Sequence, residues 1–150
     1  MFRRIFALLL LLGVSAISGY SQEKTVIKDA KAKLLLLGKH KISLQWISWD
    51  YFGAANVTSK GGVFYLKGEQ KGREINDFVK VDGQITAIDA KEFTFKGTVI
   101  SQISHIFGGK PCKREGELTF RVTGKRKYWR MQQIDNPCDG VADYVDIYFR

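Results

Sequence analysis

From Gly38 onward this chain alternates apolar and polar side chains with a period of two, and that one property commits it to sheet. The clearest stretch is 92–106. Phe93, Phe95, Gly97, Val99, Ser101, Ile103, His105 and Phe107 share one parity; Thr94, Lys96, Thr98 and Gln102 take the other. Successive strand residues point to opposite faces, so this segment predicts one face in a core and one in water. Gly108-Gly109 closes it. Ile42, Leu44 and Trp46 show the same alternation earlier, until the phase flips to Ile47, Trp49 and Tyr51, the mark of a bulge or of the strand's end. Further strands are predicted at about 53–59, 63–70, 78–88, 115–123, 127–134 and 143–149. Gly61-Gly62 and Asp89-Ala90-Lys91 serve as turns, and 71–77 is an exposed loop.

About eight strands joined by tight turns, with no βαβ spacing, define an all-β chain. Such a series buries its edges as an eight-stranded antiparallel meander barrel, with a β-sandwich as the alternative. Gly68 and Gly97 fall inside strands, where glycine accompanies the sharp coiling of a small barrel. One short N-terminal helix is predicted over 24–37, capped by Thr25 and stopped by Gly38 in a left-handed conformation.

The start of the chain reads as an export leader. Arg3 and Arg4 precede the apolar run Phe6–Val14, and Gly19 and Ser21 place the cut before Gln22. The run is too short for a spanning helix, and no cysteine follows it for lipid attachment. The expectation is a 1–21 signal peptide and a single 22–150 domain, periplasmic or extracellular, not membrane-spanning and monomeric. Losing the leader's two arginines lowers the formal net charge from +9 to +7. A basic exported surface favours anionic glycans or lipid headgroups over nucleic acid. Cys112 and Cys138 are the two cysteines, and in an exported domain they are expected to pair. The closed loop contributes about 3.5 kcal/mol in the chain-entropy picture.

The leading helix, Leu36-Leu37-Gly38 at the opening of the first strand, and the paired motifs Phe64-Tyr65-Leu66-Lys67-Gly68 and Phe93-Thr94-Phe95-Lys96-Gly97 resemble the lipocalin/calycin-like barrels of small exported bacterial proteins. The lipocalin G-x-W signature is not met, because Lys39 and His40 follow Gly38. The resemblance therefore implies a barrel and carries across no binding residue. The chain also looks like many uncharacterised exported bacterial proteins, a likeness that implies no activity.

Two surfaces stand out chemically. If the barrel is hollow, a small amphipathic ligand would touch Trp46, Phe93, Phe95, Ile103 and His105, with the imidazole able to orient it. The second is the basic hairpin Arg121, Lys125, Arg126, Lys127 and Arg130 beside Tyr128 and Trp129, where charge can meet an anion and rings can stack on sugar. His40, inside Lys-His-Lys, is expected to be exposed. The acidic run from Asp135 to Asp146 lacks the spacing of a calcium loop and reads as a disulfide-pinned turn. No nucleophile–base pair or metal set is legible, so no catalytic residue and no cofactor is expected. The reading is a non-enzymatic binding protein, with an envelope interaction protein as the alternative and an exported hydrolase behind both.

Overall fold

Eight antiparallel strands follow one another round a closed ring in chain order in the computed structural model, which describes residues 22–73 and 76–150. The leader predicted over 1–21 lies outside the described residues. The elements are β1 (Val26–Ile27), α1 (Ala30–Leu36), β2 (Gly38–Leu44), β3 (Gly53–Lys60), β4 (Val63–Lys71), β5 (Phe78–Ile88), β6 (Glu92–Gln102), β7 (Cys112–Arg121), β8 (Tyr128–Met131) and β9 (Val145–Tyr148). Strands β2 to β9 form the barrel, closed where β9 pairs with β2 through Ile42↔Ile147. β1 is an extra strand, parallel to the end of β5. The barrel borne out here is the meander, not the sandwich.

The N-terminal helix is shorter than expected. The Thr25 hydroxyl does not cap it; it donates to the Ile85 carbonyl and accepts from the Phe64 N–H, which pulls residues 26–27 onto the sheet as β1. Asp29 is the cap, accepting from the Ala32 N–H at 2.7 Å. Gly38 does adopt positive φ (+109°), but as the first residue of β2.

Strand β6 also stops early. The Asp77 carboxylate accepts the Ser104 N–H at 2.7 Å, and Ile106 N–H turns back onto the Ile103 carbonyl. The chain leaves the sheet after Gln102, so His105 and Phe107 are exposed and do not share the inner face. The phase flip at Trp46–Ile47 proves to be a strand end: Ile47 and Ser48 N–H both point to the Leu44 carbonyl. β8 and β9 are each shorter than the predicted segments, because 132–144 is held as a loop by the Cys112–Cys138 disulfide.

The barrel interior is filled. Phe93, Phe95, Val99, Leu118, Phe120 and Met131 belong to one contiguous core with Ile42, Leu66, Ile85 and Ile147. Phe93 stacks on Phe120 with centroids 4.9 Å apart, and Phe95 meets Phe120 edge-on at 5.9 Å. Gly83 faces Gly97 across β5–β6, and Gly97 faces Gly116 across β6–β7. A Cβ at Gly83 or Gly97 would come within 2.7 or 2.8 Å of Phe95 Cζ, so these glycines leave the room that the ring occupies. An eight-stranded barrel is just wide enough for its own side chains to fill it.

The two ends differ. Connections 45–52, 103–111 and 132–144 gather at one end with residues 72–73 and 76–77, while the other has the short turns 61–62 and 89–91, the 122–127 turn and α1. No helix among the described residues is long and apolar enough to cross a membrane.

Candidate functional site

The five residues expected to hold a ligand inside the barrel divide into two groups. Phe93, Phe95 and Ile103 are core side chains, with at most 3% of their surface exposed. A ligand there would have to displace them. Trp46 and His105 meet edge-on at 6.0 Å on the long-loop end, beside Tyr51, Arg73 and Asp77. Trp46 is oriented by its indole N–H, which donates to Asp143 at 3.0 Å.

Asp143 is the hub of that end. It is buried and pairs with Arg114 Nη1 at 2.9 Å, while Asn136 Nδ2 donates to it at 3.1 Å. Arg114 was not singled out from the sequence. Its parity with Cys112, Leu118 and Phe120 was the available signal, since that places it inward on β7. Asp139 accepts the Val141 N–H. The acidic run is thus engaged in holding its own loop.

The basic residues of the hairpin also divide. Arg121 is taken by Glu92 at 2.6 Å, and Arg130 by Asp146 through two 2.7 Å bonds. Those bonds hold the Arg130 guanidinium protonated above its ordinary range. Burial pushes the Asp146 carboxyl upward, against the pull of Arg130. Arg130 lies between two rings, 5.2 Å from Tyr128 and 4.3 Å from Tyr144. Lys125, Arg126 and Lys127 are exposed, with Arg126 over the Tyr128 ring at 5.6 Å.

Lys127 has company that the sequence did not reveal. The β8–β9–β2 pairing brings it to a groove of about 480 Å³ lined also by Lys39, Lys41 and Arg150, with Phe52, Tyr148 and Phe149 as its apolar surfaces. Lys41 sits 5.1 Å over the Phe52 ring, and Phe52 meets Tyr148 edge-on at 5.0 Å. Burial pushes the Tyr148 phenol up, while its hydrogen bond with Ser43 pulls the other way. His40 is buried, not exposed, because β2 parity turns it inward between Lys39 and Lys41. Its Nδ1 lies 2.8 Å from the Tyr148 carbonyl and its Nε2 2.6 Å from the Leu36 carbonyl, so it ties α1 to β9 at the base of the groove.

The segments 30–49, 118–134 and 147–150, which supply the basic residues of the groove and of its flanks, contain no acidic residue and ten lysines and arginines. Only Arg121 and Arg130 among those ten form an ion pair within the described residues. A filled interior, long loops at one end and a cationic, aromatic groove on the outer wall near the other end define a small β-barrel. Residues 24–149 match the model of the PM1083 family, and the chain belongs to that family. It is 43% identical over 136 residues to the uncharacterized protein PM1083 of Pasteurella multocida (strain Pm70), which covers 89% of this chain and 86% of that protein. No solved structure matches the chain.

Proposed function

We propose that this protein is a non-enzymatic binding protein. It captures phosphate- or sulfate-bearing groups, on an envelope glycan or a lipid headgroup, in the groove lined by Lys39, Lys41, Lys127 and Arg150. The supporting observation is the convergence of Lys39, Lys41, Lys127 and Arg150 on one groove, where aromatic rings flank cations without carboxylate partners among the described residues. Charge supplies the attraction there, and the Tyr148 and Phe52 rings supply a flat apolar surface beside it. The Cys112–Cys138 disulfide hints at an oxidising compartment. In this reading the 1–21 leader delivers a monomer to the periplasm or beyond.

Heparin chromatography tests the proposal, with the sulfated chain as the probe. A cation near an anionic surface contributes about 1 kcal/mol, or roughly fivefold in affinity. The triple variant Lys39→Gln, Lys41→Gln, Lys127→Gln should therefore bind about 100-fold more weakly and elute at lower salt. Unchanged retention of that variant overturns the proposal. Replacing Lys125, Arg126 and Lys127 with Ser should cost less, because only Lys127 lines the groove.

A further inference from the structure

The helix beside the groove exposes what a helix of a water-soluble barrel normally buries. α1 reads Ala-Lys-Ala-Lys-Leu-Leu-Leu, and it packs through Ala32 and Leu36. Leu34 is nevertheless 63% exposed and Leu35 37% exposed, on a stretch bearing Lys31 and Lys33. The helix and groove are physically continuous. Arg150, which lines the groove, donates from Nη2 to the Leu34 carbonyl at 2.7 Å, and its guanidinium lies against Gly38. Two adjacent exposed leucines, on a helix that also carries Lys31 and Lys33, therefore stand beside the groove lined by Lys39, Lys41, Lys127 and Arg150.

We infer that this end of the barrel docks on an anionic lipid bilayer. Leu34 and Leu35 enter the boundary between headgroups and acyl chains, and the surrounding cations lie on headgroup phosphates. The inference rests on the groove reading and names its partner. A glycan offers leucine side chains no apolar phase to enter, whereas a bilayer interface receives them at shallow depth. The charge is complementary as well, since the segment from Ala30 to Trp49 carries four lysines and no carboxylate. A single apolar insertion of this size gives reversible, salt-sensitive attachment.

The test is co-sedimentation of the protein purified from its host with vesicles, either of equal parts phosphatidylglycerol and phosphatidylcholine or of phosphatidylcholine alone. Mass spectrometry would establish the N-terminus of the protein. Binding should require the anionic lipid and weaken as salt rises. Leu34→Gln with Leu35→Gln should weaken vesicle binding at least tenfold, with heparin retention and melting temperature unchanged. Leu34→Gln alone should show part of the same loss. Wild-type protein that is retained on heparin but does not sediment with anionic vesicles overturns the lipid inference and leaves the groove reading standing. Vesicle binding unaffected by either leucine variant overturns it too. Loss of both heparin and vesicle binding in the Lys39, Lys41, Lys127 variant, with the leucine variant losing only vesicles, supports both readings.

Discussion

Phe95→Ala is the substitution that most sharply separates a filled barrel from a hollow one. Phe95 has none of its surface exposed, and its ring lies against Phe120 and over the bare backbone of Gly83 and Gly97. Truncation forfeits the transfer free energy of the ring and leaves a void, because β5, β6 and β7 are laddered around it and cannot collapse. Fully buried Phe→Ala changes cost about 3–5 kcal/mol. For a domain of this size that lowers the melting temperature by about 10–20 °C. Gly97→Ala probes the same space from the opposite direction. Its Cβ would fall 2.6 Å from Gly83 Cα and 2.8 Å from Phe95 Cζ, an overpacking worth about 1–3 kcal/mol. Removing the ring relieves one of those contacts but not the backbone one. The double variant should therefore lose less than the sum of the singles, by about 0.5–3 kcal/mol. Urea unfolding of the four proteins measures this, and the Phe95→Ala cavity should take up benzene. A loss under 1 kcal/mol for Phe95→Ala, with strict additivity, would refute the filled interior.

Three further outcomes follow from the same geometry. Replacing both Cys112 and Cys138 with Ala should lower stability by about 3.5 kcal/mol in urea unfolding, with the barrel retained. Arg114→Met leaves Asp143 buried without its cation and should cost about 3–5 kcal/mol, read in the same assay. Tyr148 holds its proton to higher pH in the folded state than in the unfolded chain, so above pH ~10 unfolding releases that proton and stability falls as pH rises. Tyr148→Phe should flatten that part of the stability curve, and identical curves for the two proteins would contradict the assignment.

The barrel strands were legible where local pattern and ladder agree. β3, β4 and β5 fall within one or two residues of their predicted bounds, since local turn signals bound them and Gly61-Gly62 adopts φ of +60° and +81° as the hairpin requires. The departures arise from contacts distant in sequence. Asp77 ends β6 from 27 residues away, and Thr25 reaches Ile85 across 60. Neither bond has a local signal. Period-two alternation also cannot say whether the inner face meets solvent or other side chains, so Phe93 and Phe95 looked equally suited to a ligand. The filling is visible only once Gly83, Gly97 and Gly116 are aligned across three strands. The groove was half legible. Lys127 was recognised within its basic hairpin, but its neighbours Lys39, Lys41 and Arg150 come from the two ends of the domain and meet only because β9 closes on β2.

Amide chemical-shift mapping of the protein with a short heparin oligosaccharide puts the outer groove and the barrel interior in direct competition. Binding in the groove predicts perturbations concentrated at Lys39, Lys41, Lys127, Tyr148 and Arg150, with Phe93, Phe95 and Val99 unmoved. Perturbations centred on Phe93, Phe95 and Val99, with the groove residues silent, would contradict a filled barrel that binds through its outer wall.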